Sequence, residues 1–170
     1  MTKKKEYKNL ENELKEKVRE KFWNGRTLAD GENDFTIRPN VFLACYIYPE
    51  LLSNEEWTSC FENSLPRLWL EWGGLSTIDK SSKLFKNEYT GETPSSYHRG
   101  DSWFWINNIA AIAMQRINKE KFETYIKKIA EASRDDILWK GVIGAASELS
   151  SAKEQRAEGC LNQAWSNATF

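Results

Sequence analysis

The 170-residue chain has one histidine, three cysteines, four prolines and two methionines, and no long apolar run. With His98 alone, a histidine-rich zinc site is excluded, and a Ser-His-Asp triad would have to use His98, whose surroundings do not suggest one. Cys45, Cys60 and Cys160 are far apart and without CxxC spacing. Reduced thiols in a cytoplasmic protein are therefore expected, not a disulfide framework. The longest nearly pure apolar run, Val41 to Tyr48, falls far short of the ~20 residues that span a bilayer. A formal net charge of −1 gives the fold as a whole no electrostatic attraction for nucleic acid or anionic lipid. Lys3-Lys4-Lys5 leads into Glu- and Lys-rich sequence rather than an apolar stretch, so no signal peptide is read there. Residues 1–5 are expected to be a disordered, solvated terminus. Neither metal-ligand spacing nor a phosphate-cradling Gly-rich loop occurs, so no metal or cofactor is expected.

What is present is helical periodicity interrupted by long loops, within a length that suits one domain over 1–170. Tyr7, Leu10, Leu14, Val18 and Phe22 predict an amphipathic helix over about 6–23. Pro39 opens a short second helix through Tyr48. Ser53-Asn54-Glu55-Glu56 has the form of a capping box ahead of Trp57, Cys60, Phe61 and Leu65, and Pro66 with Gly73-Gly74 is expected to close that helix. Residues 74–96 read as irregular, with one extended piece near Leu75–Ile78. Helices are expected over about 102–117 and 119–133, then mostly loop over 135–155, then a last helix starting near Gly159. The fold class is all-α with about six helices, and loops of this length are uncommon in compact domains unless they act.

Two blocks do not read as plain core. Tyr97-His98-Arg99-Gly100-Asp101-Ser102-Trp103-Phe104-Trp105 concentrates aromatics and charge, the mixture a sugar site needs: flat walls for C–H faces and polar groups for hydroxyls. A helix start capped by Asp101 or Ser102, with Trp103 and Trp105 buried beneath, accounts for part of the same pattern. The second block surrounds Glu148 with Gly141, Gly144, Ala145 and Ala146, leaving room for a water beside a carboxylate. An ordinary capping or surface glutamate fits that spacing too. Arg38 and Asn40 stand at a helix entrance, where Asn40 is as well read as a cap as a ligand contact. Gln163 and Trp165 offer an amide and a wall, or simple packing.

Arg38-Pro39-Asn40, Tyr97-His98-Arg99-Gly100 followed by Trp103 and Trp105, Ser147-Glu148-Leu149, and Gly159-Cys160 followed by Gln163-Ala164-Trp165-Ser166 occur in this order. From about Phe22 onward the chain thereby resembles the C-terminal part of glycogen debranching enzymes, the amylo-α-1,6-glucosidase domain, and most of all its archaeal and bacterial members. The resemblance implies an (α/α)6 barrel and inverting hydrolysis of an α-1,6-linked glucose at a branch point of glycogen or a related α-glucan. It implies Glu148 as general base. Arg38, Asn40, Tyr97, His98, Arg99, Asp101, Trp103, Trp105, Gln163 and Trp165 then fall at or near the glucose subsite. The position of Arg99 varies in that family, with Gln in some members.

The chain departs from the family in extent. Twelve helices with their loops need roughly 300 residues or more, and the family's general acid, an Asp in a Trp-containing motif further upstream, has no match here. The expectation is the C-terminal half of a barrel supplying the base, with a second chain or a missing N-terminal half completing it. Asp101 is the fallback for an acid within the chain. A non-catalytic carbohydrate-binding module and a helical interaction scaffold are the alternatives.

Overall fold

The computed structural model describes residues 3–91 and 93–170. Five α-helices carry the fold: α1 (Lys3–Phe22), α2 (Asn40–Ile47), α3 (Asn54–Leu68), α4 (Phe104–Asp135) and α5 (Ala164–Thr169). The only other regular pieces among the described residues are short: a 3-10 turn at Pro49–Leu51, a π turn at Asp136–Lys140, and two-residue strands β1 (Ser102–Trp103) and β2 (Leu149–Ser150). The all-α expectation holds. At Asn118 the backbone leaves helical geometry (φ −157°, ψ 78°), so α4 is two helices joined at a bend, close to the two helices predicted there.

The core forms where α2, α3 and both halves of α4 meet. Phe42, Trp57, Phe61, Leu65, Leu68, Leu75, Met114, Phe122 and Ile129 are almost entirely buried. Phe61 is the hub, with ring centroids 4.6 Å from Phe42, 5.8 Å from Trp57 and 5.9 Å from Phe122. The capping box forms as read: Ser53 Oγ accepts from Glu56 N, and the Glu56 carboxylate accepts from Ser53 N at 2.8 Å. Pro66 does not end α3. The helix continues to Leu68 because Leu65 and Leu68 are core residues, and their burial outweighs one lost backbone bond near a helix end.

α1 is fastened by polar contacts more than by its apolar stripe. The Arg19 guanidinium clasps Glu56 through two bonds of 2.9 and 2.7 Å and also reaches the Leu51 carbonyl. That pairing holds the Glu56 carboxyl down at about 2. Val18 and Phe22 pack on the core, but Tyr7, Leu10 and Leu14 are 68%, 49% and 51% exposed. Lys3 to Lys5, expected to be disordered, lie within the first turn of α1; residues 1 and 2 fall outside the described residues.

Residues 74–79 are buried and lashed down by backbone bonds, Ser76 N to Leu68 O at 2.8 Å and Asp79 N to Ile37 O at 2.9 Å. Helix α4 begins at Phe104, not at Ser102, because Ser102 and Trp103 spend their backbone groups pairing antiparallel with Ser150 and Leu149. Likewise the last helix starts at Ala164, after residues 158–160 have bridged to Glu148 and Leu149. No helix among the described residues is long and apolar enough to cross a membrane.

Candidate functional site

The β1–β2 pair brings the two unusual blocks together. Trp103 pairs with Leu149, which places Glu148 beside the start of α4, where its carbonyl accepts from Phe104 N at 3.2 Å. The preceding residues are held on every side. Ala146 N donates to Asn167 Oδ1, Ala146 O accepts from Gln163 N, and Ser147 N donates to Asp136 Oδ2 at 2.7 Å. Burial pushes the Asp136 carboxyl up, which favours its neutral, proton-bearing form beneath this segment.

The Glu148 side chain is half-buried, and its two oxygens have separate donors. Oε1 accepts from the Tyr97 hydroxyl, and Oε2 accepts from Cys160 N at 2.8 Å. No ion pair among the described residues includes Glu148. Burial, then the hydrogen bond to Glu148, raise the Tyr97 phenol above its ordinary value, so Tyr97 is a lasting donor. Gly159 makes the Cys160 contact possible. Its φ is +68°, and a Cβ there would collide with Glu148 Oε2.

On the other side of Tyr97 stands an aromatic wall. The Tyr97 ring meets Trp103 edge-on at 4.4 Å, and His98 stacks on Trp103 at 5.6 Å with planes 6° apart. Trp103 Nε1 donates back to the Tyr97 carbonyl at 2.9 Å. Trp105 meets Trp165 of α5 edge-to-face at 5.5 Å. These side chains enclose a cavity of about 210 Å³ lined by Pro39, Asn40, Thr77, His98, Trp103, Trp105, Ile106 and Trp165. Five sequence-predicted residues therefore line one hollow: Asn40, His98, Trp103, Trp105 and Trp165. Tyr97 and Glu148 are not among its lining residues; Tyr97 packs on Trp103 and hydrogen-bonds Glu148, and so links the carboxylate to the wall of the hollow.

Four others are placed differently. Asp101 is completely buried, with Oδ2 accepting from Ser96 Oγ at 2.7 Å, and burial followed by the nearby Glu158 raises its carboxyl to about 6. A group sealed in this way cannot touch a substrate, so Asp101 is neither a ligand contact nor an accessible acid. Arg99 is exposed and does not line the cavity; its carbonyl anchors the loop by accepting from Lys86 N. The Gln163 amide is engaged at the start of α5, its Oε1 accepting from Ser166 Oγ at 2.8 Å. Arg38 points its Nε at Asp30 and its Nη1 at the carbonyls of Thr77 and His98, both at 2.8 Å, so much of its guanidinium is spent inside the protein. The spacing of the sequence carried no sign of Asp30, Thr77, Asp136 or Asn167, which hold these elements in place.

No group of His, Cys, Asp and Glu side chains that could hold a metal ion occurs among the described residues. The arrangement offers one carboxylate for acid–base work, linked through Tyr97 to the wall of an aromatic hollow. No curated protein matches the chain. Among solved structures, the crystal structure of an uncharacterized conserved protein from Thermus thermophilus is similar, with TM-score 0.59 and 17% identity over 81% of this chain and 30% of that one. At that identity the likeness concerns the fold, and this chain spans about 30% of that protein's length. The family described as amylo-alpha-1,6-glucosidase matches over residues 1–170, and the chain belongs to that family.

Proposed function

We propose that this chain supplies the general base and part of the glucose subsite of a debranching glucosidase that hydrolyses α-1,6-linked glucose from glycogen or a similar branched α-glucan with inversion. The observation that carries this reading is the Glu148 carboxylate, hydrogen-bonded by Tyr97 and Cys160 N, free of any ion pair among the described residues, and joined through Tyr97 to the Trp103 wall of an indole-lined cavity. An ionised carboxylate has about four lone-pair sites, so two protein donors leave capacity to orient and deprotonate a water. The cavity is smaller than the roughly 300 Å³ at which sites for drug-sized ligands begin. That suits a single sugar ring. Hydrolysis of this kind needs no cofactor.

An inverting glycosidase also needs an acid carboxyl, ~6.5–9.5 Å from the base, and Asp101 is sealed away from the cavity. The family's acid motif has no match in this chain, so we place the acid outside it, on a second chain or on a longer polypeptide that completes the (α/α)6 barrel. Exposed Tyr7, Leu10 and Leu14 on α1 suit a helix packed against them from that remainder. The compartment we assign is the cytoplasm.

A second reading is a non-catalytic carbohydrate-binding module, favoured by the fact that both Glu148 oxygens already have protein donors. Glucose release from a maltooligosaccharide bearing one α-1,6-linked glucose separates the two. The chain alone is expected to release none. Together with a polypeptide supplying the rest of the barrel it is expected to release β-glucose, and Glu148→Gln to abolish this. Glucose release by the monodisperse chain alone, or full activity of the Glu148→Gln complex, overturns the proposal.

A further inference from the structure

We propose that Asp30 is a positioning residue of this site: by bridging Arg38 and Asn40 it fixes the orientation of the Asn40 amide at the cavity, so that a ligand hydroxyl meets an acceptor and a donor held in set places. The inference deepens the sugar-site reading and rests on it for the identity of the ligand.

Asp30 lies in the turn between α1 and α2, a turn held by Asp30 N donating to Asp34 O at 2.8 Å. Its two oxygens have different partners. Oδ1 accepts from Asn40 Nδ2 at 2.7 Å, and Oδ2 pairs with Arg38 Nε at 3.1 Å. Arg38 in turn donates through Nη1 to the carbonyls of Thr77 and His98. One carboxylate thus ties together the turn after α1, the first residue of α2 and the loop that carries His98.

The Arg38–Asp30 pair is sheltered, with side-chain exposures of 22% and 19%, whereas the Asn40–Asp30 bond is exposed; both are charge-assisted and so stronger than neutral bonds. Turning the Asn40 amide over would set its oxygen against the Asp30 carboxylate, two acceptors facing each other. The charge on Asp30 therefore locks the amide. Asn40 lines the aromatic cavity and also a second hollow of about 170 Å³ beside Asp30, Thr36 and Arg38. With one N–H of Nδ2 committed to Asp30, Asn40 keeps Oδ1 as an acceptor and its second N–H as a donor, a fixed pair that suits a hydroxyl, which both donates and accepts.

The test uses the ¹⁵N-labelled full chain, with the Asn40 side-chain amide assigned as the pair of signals lost in Asn40→Ser. In the wild type one of these protons is expected downfield and slow to exchange, and Asp30→Ala and Asp30→Asn are both expected to abolish that signature. Calorimetric titration with glucose is expected to show about ten-fold weaker binding for Asp30→Asn, which retains the shape of the residue without the charge. An unchanged Asn40 amide in a folded Asp30 variant overturns the positioning role, as does unchanged glucose affinity. Absence of glucose binding by the wild type would refute the sugar reading instead, and the amide signal alone would then decide whether Asp30 fixes Asn40.

Discussion

Replacing Asp101 by Asn should make the chain's stability less dependent on pH, by an amount the structure allows to be worked out. The folded-state carboxyl is raised from 3.8 to about 6, with burial the first cause and Glu158 a further one. A group whose folded pKa is raised adds stability that is full below its unfolded pKa and is lost as pH rises through the folded value. For values of 3.8 and about 6, the wild type at pH 4.5 holds roughly 2 kcal/mol from this group that has vanished by pH 7.5. Asn keeps an oxygen for the Ser96 hydroxyl and never ionises, so it lacks this contribution at either pH. Urea denaturation of both proteins at both pH values isolates the effect. Carboxyls that do not interact with Asp101 cancel in the comparison, and Glu56, held at about 2, titrates in the folded state below this window. The stability of Asp101→Asn relative to wild type should be about 2 kcal/mol more favourable at pH 7.5 than at pH 4.5. An equal difference at the two pH values would refute the account of Asp101 as a sealed carboxyl and reopen it as an accessible acid.

Ser53→Ala removes the acceptor for Glu56 N and is expected to cost about 1 kcal/mol, read by chemical denaturation. Gly159→Ala places a Cβ at positive φ against the Glu148 carboxylate and is expected to cost about 1–2 kcal/mol. Its more telling readout is hydrogen exchange at Cys160 N, which should lose protection as Glu148 is displaced. Wild-type protection there would contradict the role given to Gly159.

What could be read from the sequence was local in the chain. The Ser53–Glu56 capping box needs only residues three apart, and the hydrophobic spacing of α2, α3 and α4 survives folding because their buried faces are built from those same residues. Tyr97 to Trp105 stood out by composition, since indoles, imidazole and charge crowd nine positions. What escaped was the set of contacts that close loops. Asp30 meets Asn40 across ten residues, Asp136 meets Ser147 across eleven, and Asn167 meets Ala146 across twenty-one. A carboxylate or amide in a loop has no periodicity to betray its partner. Pro66 shows a related limit: its local preference is to end a helix, but core packing of Leu65 and Leu68 carries α3 on to Leu68, ahead of Gly73-Gly74. Asp101 stands among the cavity residues in sequence, whereas the turn at Ser96–Asp101 aims its side chain inward.

The most direct test of the assignment is whether the indole-lined hollow and Glu148 respond to sugar as one site. Titrating the labelled chain with glucose, while following the Trp105 indole N–H and the Tyr97 ring by NMR, reads both ends at once. Both signals are predicted to shift with a single shared dissociation constant. If saturating glucose moves neither signal, or moves Trp105 while leaving Tyr97 untouched, the carboxylate and the cavity are separate features and the glucosidase reading of Glu148 is wrong.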